Sequence, residues 1–236
     1  MIKKLKFYIL GHDELIKRMI LERGHWVQTK FDEDTTDGVI FTGGEDVTPF
    51  LYGEKKLPET SCNIVRDQRE VAIFKNLPQE TRRIGICRGA QLLNVLSGGC
   101  LWQDVNYHRG SHLMKVDWQP VEEKRKKWEG KHEFLSVTST HHQMMIPAYY
   151  GEVWASARMS TEKRNARETW RINNSNDNDF EDAEVVHYWH TNSLCFQPHP
   201  EYEGGKDCRE YFWDCVEYGL FNFAKLEEEA KKKKAS

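Results

Sequence analysis

A chain of 236 residues with 34 Lys and Arg against 37 Asp and Glu carries a formal net charge of −3. It therefore lacks the cationic surplus with which nucleic-acid-binding domains hold phosphates. Its length suits one domain, or one domain with a small insertion. No segment approaches the ~20 apolar residues of a membrane span, and the apolar run at residues 7–10 is too short for a signal peptide. We expect a cytoplasmic protein that binds neither nucleic acid nor membrane.

The six cysteines, at positions 62, 87, 100, 195, 208 and 215, show no paired C-x-x-C spacing. Without an export signal, their thiols are expected to be reduced. Cys208 and Cys215 are seven residues apart on a predicted helix, so they lie near one face. This spacing indicates burial rather than a structural zinc site.

Strands and helices alternate in the amino-terminal part of the chain. The predicted strands are residues 5–10, 26–29, 37–42 and 83–86, and the predicted helices are residues 14–21, 67–76 and 88–97. Residues 45–63 are predicted to be a loop. Short apolar strands separated by helices predict an α/β fold, with an open, mostly parallel, flavodoxin-like sheet covered by helices on both faces. Such sheets bind ligands at the carboxyl ends of their strands.

The pattern changes after Gly99. Residues 100–132 are polar and are predicted to be irregular, and residues 160–182 are predicted to be a mobile loop. Later elements are strands at 133–138 and 151–157, a hairpin of residues 183–189 and 192–197, and a closing helix at 209–230. Glu and Lys at i,i+4 spacing support the end of that helix, which frays into a charged tail at residues 225–236.

Cys87 stands between two glycines, in the segment Gly-Ile-Cys-Arg-Gly at residues 85–89. An apolar strand precedes it and an apolar helix follows, so the glycines allow a sharp turn that exposes the thiol. The same turn directs the next backbone N–H, that of Arg88, at an oxyanion developing on a substrate. An unpaired cysteine is usually a small core residue, but this pattern favours a nucleophile.

Residues 197–201, Gln-Pro-His-Pro-Glu, supply the base that such a nucleophile needs. His199 can take the thiol proton, and Glu201 can orient the imidazole. The prolines on both sides of His199 restrict the backbone and favour a rigidly held side chain. A histidine that merely caps a strand end is the alternative interpretation. The presence of Cys87 favours the catalytic one.

Five segments in this order resemble the class I glutamine amidotransferase superfamily. The resemblance is closest to its γ-glutamyl hydrolase branch, the peptidase C26-like proteins that include γ-glutamyl-GABA hydrolase. The segments are residues 41–54, 66–67, 85–104, 139–143 and 197–201, within a span from 38 to 202. The resemblance implies that residues 1–236 form one domain of that type. It also implies a triad of Cys87, His199 and Glu201 that hydrolyses a γ-glutamyl amide through a thioester, with no metal or organic cofactor.

The resemblance assigns further roles around the triad. It makes the N–H of Gly44 the second oxyanion donor beside that of Arg88, although turn glycines also occur without such a role. It implies that Gln91, one helical turn after Cys87, hydrogen-bonds the glutamyl part of the substrate. It also places residues 141–143 at the border of the pocket, so His142 and Gln143 are candidate substrate-binding residues.

The chain departs from its relatives at two places. Cys195-Phe196-Gln197-Pro198 replaces the usual Gly-Val-Gln-Phe/Trp, and Cys100 stands where relatives tend to have Thr or Ser. Neither change affects a predicted catalytic atom. The amino-terminal third is compact, with some fifteen residues between Gly24 and Ile40. The family's substrate contacts from that region therefore do not carry over, and the leaving amine stays open.

The remaining histidines are not predicted to bind a metal. Neighbours on a strand point to opposite faces, so His141 and His142 cannot easily share one ion. His108 and His112 have no carboxylate at ligand spacing and are predicted to lie on the surface. His187 and His190 are predicted to be structural, and Arg66-Asp67 is predicted to start a helix.

Three functions agree with these patterns. The first is a free-standing hydrolase that cleaves a small γ-glutamyl substrate, glutamine included. The second is a glutaminase subunit that delivers ammonia to a separate synthetase or amidoligase in trans. The third is a non-catalytic binding module on the same fold. The intact triad argues against the third. The segment Tyr52-Gly53-Glu54 after Asp46-Val47-x-Pro49, with the paired His141-His142, favours the first over the second, although fold analogy alone cannot separate them.

Overall fold

The computed structural model describes residues 4–117, 134–171, 181–203 and 205–222. The strands are β1 (Lys6–Leu10), β2 (Trp26–Gln28), β3 (Gly38–Phe41), β4 (Arg82–Ile86), β5 (Cys100–Trp102), β6 (Asp104–Val105), β7 (Arg109–Val116), β8 (Phe134–Thr140), β9 (Met144–Ile146), β10 (Glu152–Ala157), β11 (Glu162–Arg164), β12 (Thr169–Arg171), β13 (Asp182–Tyr188) and β14 (Ser193–Phe196). The α-helices are α1 (Glu14–Arg23), α2 (Ile64–Asn76), α3 (Arg88–Leu96) and α4 (Lys206–Asp214).

Five parallel strands form one half of the main sheet, in the order β2-β1-β3-β4-β14. The first four follow the flavodoxin-like order, in which the chain winds outward from β1 in both directions. The carboxyl ends of β3, β4 and β14 are therefore neighbours at one edge of the sheet. The predicted α/β fold class is confirmed, and the chain segments after these three strands must meet.

Helices cover both faces of this sheet, as predicted. Successive strand residues point to opposite faces, so Phe7 and Ile9 pack in one hydrophobic core while Leu10 packs in the other. The first core contains buried side chains of α1 and α4, and the second contains those of α3. Local signals set the ends of α1. The Asp13 side chain accepts the N–H of Ile16 at 3.0 Å, and Gly24 has a φ of 92° at the carboxyl end.

Antiparallel strands extend the sheet beyond β14, in the order β13-β10-β7-β8. The predicted hairpin is confirmed, because β13 and β14 pair antiparallel around a short 3-10 helix at Trp189–Thr191. The irregular structure predicted for residues 100–132 is wrong for its described part. There β5, β6 and β7 form, and β7 pairs along its length with β8. Residues 118–133 lie outside the described residues.

The loop predicted at residues 160–182 is also corrected in part. β11 and β12 pair antiparallel, and β11 pairs with β6 in a small separate sheet. Polar strands were not recognised here because their pairing partners, rather than an apolar face, stabilise them. Residues 172–180 of this segment lie outside the described residues. Residues 45–63 are largely loop, interrupted by a 3-10 helix at Pro49–Tyr52.

The closing helix begins at Lys206, three residues before its predicted start, and continues as a π-helix over Cys215–Leu220. Residues 223–236, including the predicted tail, lie outside the described residues. Within the described ranges, no helix has both the length and the apolar character needed to cross a membrane.

Candidate functional site

Cys87 occupies a strained turn between β4 and α3. Its φ is 53° and its ψ is −113°, a combination that residues with a side chain rarely adopt. Such a conformation costs about 1–3 kcal/mol and persists only where the surrounding structure enforces it. A Cβ on Gly89 would overlap the Phe41 carbonyl, and one on Gly85 would overlap the backbone at Gly89. The two glycines therefore let helix and strand approach closely enough to make the turn.

His199 lies at the carboxyl end of the neighbouring strand β14, held by contacts on several sides. Its Nδ1 lies 2.7 Å from Oε1 of Glu201, and its Nε2 lies 3.0 Å from Oγ1 of Thr140. The ring of Tyr202 stacks on the imidazole, with centroids 4.4 Å apart. Because Glu201 accepts a hydrogen bond from the Nδ1–H group, Nε2 is the nitrogen that can exchange a proton with a reacting group.

Burial by itself lowers the pKa of His199, but hydrogen bonds with Cys87 and Glu201 outweigh it and raise that pKa to about 10. An imidazole with so high a pKa is protonated at neutral pH when the thiolate is beside it. The contacts with Cys87 and Glu201 therefore favour the protonated form of His199. The sequence predicted this contact, although 112 residues separate the two side chains (199 − 87).

The two predicted oxyanion donors are Arg88, which directly follows Cys87, and Gly44 on the loop after β3. Arg88 is the first residue of α3, so its N–H is among those without a partner inside the helix. Gly44 has a φ of 140° and is exposed on the loop after β3. A Cβ built on its neighbour Gly43 would lie 3.5 Å from Cε1 of His199 and 3.7 Å from Cβ of Cys87. The structure thus brings the loop, the nucleophile and the base together.

A buried network of charged side chains, not predicted from the sequence, supports this loop. Arg66 donates from Nη2 to the carbonyl oxygens of Gly43 at 2.9 Å and Thr42 at 3.2 Å, and from Nε to Glu70 at 2.9 Å. Glu70 also binds the buried guanidinium of Arg88. Arg66 was predicted only as a helix start, since the carbonyl groups that it binds on the loop lie more than 20 residues away in sequence.

Asp67 extends the same network from α2. Its Oδ1 binds the guanidinium of Arg88, and its Oδ2 accepts the N–H of Thr48 at 2.8 Å. Asp67 is completely buried. Breaking one partner out of such a buried ion pair typically costs about 3–5 kcal/mol, so the network rigidly couples α2 to the turn at Cys87.

The predicted substrate-binding residues divide into two groups. Gln91 and Gln143 are buried, and Nε2 of Gln91 donates to the carbonyl of Gln143 at 3.0 Å and to Oε1 of Gln197 at 3.2 Å. His142 is half-buried, with Nε2 3.1 Å from Asp46 and Nδ1 3.4 Å from Asp104. His142 therefore faces the loop after β3, whereas Gln91 and Gln143 point inward and link α3 to the segment that carries His142.

The carboxylates around His142 determine its charge. The hydrogen bond to Asp46 raises the pKa of His142 against the effect of burial, with a further contribution from Asp104. Arg164 of β11 binds Asp104 and Glu59, each at 2.7 Å. The small sheet of β6, β11 and β12 thereby places alternating positive and negative side chains at one side of the site. The sequence analysis, which predicted a loop at residues 160–182, did not suggest this contribution.

His108 and His112 are not at the surface, contrary to the prediction. Both are buried, and Nε2 of His112 lies 2.9 Å from Oε1 of Glu184. The error arose because Glu184 is 72 residues away in sequence and reaches His112 only through the fold. His141 and His142 point in different directions, as predicted, with His141 turned toward this buried group. His187 is buried, in keeping with its predicted structural role.

Comparisons with known proteins give one family. The model of the peptidase C26 family matches residues 32–201. A glutamine amidotransferase-like YvdE homolog of Lactococcus lactis subsp. cremoris is 36% identical over 119 residues, which cover 46% of this chain and 63% of that protein. Protein NtpR of Enterococcus hirae is 40% identical over 74 residues, which cover 30% of this chain and 31% of NtpR. The matches thus span less than two thirds of these relatives' own length.

Solved structures show the same fold at low sequence identity. A Thermoplasma acidophilum protein described as part of a GMP synthase has a TM-score of 0.61 at 16% identity, covering 97% of this chain and 98% of that one. A glutamine amidotransferase of Thermotoga maritima has a TM-score of 0.51 at 15% identity, covering 99% and 87%. These similarities confirm the predicted fold class of class I glutamine amidotransferases.

Proposed function

Since this chain belongs to the peptidase C26 family, within the class I glutamine amidotransferase superfamily, we propose that it hydrolyses a γ-glutamyl amide through a thioester on Cys87. The observation that carries the proposal is the meeting of three segments at adjacent strand ends. The Gly43-Gly44 loop, the strained Cys87 and the Glu201-bound His199 follow β3, β4 and β14 respectively. Each segment supplies one requirement of acyl transfer.

The reaction proceeds in two halves. The thiolate of Cys87 attacks the γ-carbonyl carbon, and the N–H groups of Gly44 and Arg88 stabilise the resulting oxyanion. The imidazolium of His199 then protonates the departing amine, and the carbon–nitrogen bond breaks to leave a γ-glutamyl thioester. In the second half, neutral His199 takes a proton from water. The hydroxide attacks the thioester, glutamate leaves, and the thiolate–imidazolium pair is restored.

A second function is favoured by the names of the relatives, which describe them as glutamine amidotransferase-like. In that function the chain is a glutaminase subunit that passes ammonia to a synthetase or amidoligase in trans. The chemistry at Cys87 is the same in both cases. The difference lies in whether the oxyanion loop is competent alone or only after a partner docks.

A substrate screen tests the choice. Purified chain is incubated with glutamine, γ-glutamyl-GABA and γ-glutamyl peptides, and glutamate release is measured, with Cys87→Ala as control. Steady release from at least one substrate without a partner supports the free hydrolase. If no substrate releases glutamate until a synthetase from the same source is added, the free hydrolase is contradicted and the ammonia-delivering function is supported. If no glutamate is released with or without the synthetase, catalysis is contradicted and the binding module is favoured.

A further inference from the structure

A second group of polar side chains lies buried behind the site, among strands of the antiparallel half of the sheet. His108 directly precedes β7, His112 lies within β7, and Glu184 lies in the central strand β13. The side chains of all three are fully buried. Burying an ionisable carboxylate is costly unless a positive partner compensates it. The position of these groups therefore requires an explanation that the proposed chemistry at Cys87 does not give.

The proton positions on His108 are set by its neighbours. Nε2 lies 2.7 Å from Oδ2 of Asp182, a carboxylate whose other oxygen lies 2.6 Å from Nζ of Lys163. A carboxylate with that partner accepts, so Nε2 of His108 carries the proton and Nδ1 carries a lone pair. That lone pair faces Oε1 of Glu184 at 3.4 Å. Two acceptors facing each other in a buried space need either a proton or a metal cation between them.

His141 shows the same arrangement. Its Nδ1 lies 2.9 Å from the carbonyl oxygen of Gln143, which can only accept, so Nε2 carries the lone pair. Within the described residues, Nε2 of His141 and Nδ1 of His108 are buried without a hydrogen-bond partner. A histidine that binds a metal usually donates its other ring N–H to a carboxylate or a backbone carbonyl. His108 and His141 each have one such partner.

The spacing of the group agrees with a metal centre. One nitrogen or oxygen atom from each of His108, His112 and Glu184 lies within 4.8 Å of the others. A tetrahedral zinc ion with bonds of about 2.0–2.1 Å holds its ligand atoms about 3.3 Å apart. The separations of Glu184 Oε1 from the two histidines, 2.9 and 3.4 Å, bracket that value.

The rings are also placed as ligands of one ion would be. The centroid of the His108 ring lies 4.9 Å from the centroids of both His112 and His141. Imidazoles on one tetrahedral zinc ion have centroids about 5 Å apart, given the same bond lengths. Three imidazoles and one carboxylate suit zinc better than magnesium or calcium, which prefer oxygen ligands.

We propose that His108, His112 and Glu184, whose ligand atoms lie close together, hold a structural zinc ion, and that the ring of His141 turns its unpartnered Nε2 toward them as the fourth ligand. With four protein ligands the site is closed, as structural zinc sites are. The zinc ion would link β7 and β13 to the segment at residues 139–141, which contacts the proposed base His199. Thr140, next to His141, contacts Nε2 of His199, and Ser139 donates to the carbonyl of His108 at 2.6 Å. Zinc binding would therefore stabilise the wall behind His199 without touching the substrate.

The test uses untagged full-length protein, its metal content measured by mass spectrometry after gel filtration. We expect about one zinc per chain, a lower unfolding temperature after chelation, and its recovery on adding one equivalent of zinc chloride. Replacement of zinc by Co²⁺ should give the visible absorption of a tetrahedral centre. A wild-type protein that binds neither ion, with an unchanged unfolding temperature, would overturn the proposal whether or not any variant folds.

Variants locate the ion. Glu184→Gln and His112→Gln should each lose stoichiometric zinc and the cobalt spectrum. His187→Gln is the matched control, because His187 is also buried and its ring nitrogens have no described hydrogen-bond partner, but it lies outside the group. It should keep one zinc per chain. Full zinc occupancy in both Glu184→Gln and His112→Gln would place the ion elsewhere and refute the assignment.

Discussion

The guanidinium of Arg66 donates from Nη2 to the carbonyl oxygen of Gly43 at 2.9 Å. Because a trans peptide is planar, its C=O and N–H point in opposite directions. The contact therefore turns the N–H of Gly44 away from Arg66. Gly44 also has no space for a side chain, since a Cβ there would overlap Nη1 of Arg66. In the proposed mechanism, Arg66 is thus a positioning residue for the loop that carries the Gly44 N–H.

We predict that Arg66→Lys lowers kcat roughly 10- to 100-fold with little change in KM. Loss of an oxyanion donor costs about 10²- to 10³-fold, and a lysine keeps the charge but not the planar fork that reaches two carbonyls. Arg69→Lys, an exposed change on the same helix, is the control and should leave kcat and KM unchanged. Iodoacetamide alkylation of Cys87 should proceed normally in Arg66→Lys, because alkylation needs no oxyanion hole. A parallel loss of alkylation would indicate a general disruption instead.

Cys87 should react with iodoacetamide faster than the other five cysteines. It is only 7% exposed, and Cys62 and Cys100 are more accessible, so accessibility alone predicts the opposite order. The thiolate is the reactive form, and His199 is placed to stabilise it at Cys87. Peptide mapping after brief labelling measures the order.

Burial raises the pKa of the Cys195, Cys208 and Cys215 thiols, so these three should label last. Cys87→Ala should abolish turnover while leaving the thermal unfolding of the protein cooperative. Preferential labelling of Cys62, with Cys87 inert, would argue against a nucleophile at the turn.

His199→Ala should lose nearly as much activity as Cys87→Ala, on the order of 10³-fold or more, and Glu201→Gln somewhat less. In the proposed mechanism His199 transfers the proton directly, whereas Glu201 acts through the 2.7 Å contact with Nδ1. Steady-state kinetics of the single variants and of Cys87→Ala/His199→Ala measure the coupling. The double variant should be little worse than either severe single variant. Losses that simply multiply would contradict a shared mechanism.

The charge state of His199 should depend on Cys87. In the native protein, burial is outweighed by the contacts with Cys87 and Glu201, which raise the pKa of His199 to about 10. In Cys87→Ala that pKa should fall by roughly one unit or more, because an opposite charge within hydrogen-bonding distance has gone. NMR titration of the imidazole protons measures the change. Burial lowers the pKa of His187 to about 4, and that value should not move.

The contacts of His199 with Cys87 and Glu201 should also make the stability of the protein depend on pH. The folded-state pKa of His199 lies above its ordinary value of 6.5. Its contribution is therefore fully present below about pH 6.5 and disappears as the pH rises through about 10. Chemical unfolding at pH 7 and pH 10 should show a smaller decline for Cys87→Ala than for the native protein. Equal declines in the free energy of unfolding would mean that the contact between Cys87 and His199 does not stabilise the folded state.

Local patterns in the sequence determined the alternating elements and the turn at Cys87, whereas the pairing of Cys87 with His199 and Glu201 was predicted from two distant motifs and from the family resemblance. The periods of strands and helices, and the backbone demands of glycine and proline, are properties of neighbouring residues. These features can therefore be recognised in the sequence without knowledge of the fold. The hairpin around residues 189–191 was predicted for the same reason, and so was the helix that begins after Cys87.

Only the tertiary structure decided which distant side chains meet. β7 is polar and becomes a strand because β8 supplies its hydrogen bonds. Arg66 reaches Gly43, and Glu184 reaches His108 and His112, across separations that carry no periodic signal. Gln91, placed on the correct helix face by spacing, is turned inward by Gln143 and Gln197. Buried polar groups must find partners wherever the fold provides them, and the strand order sets where that is.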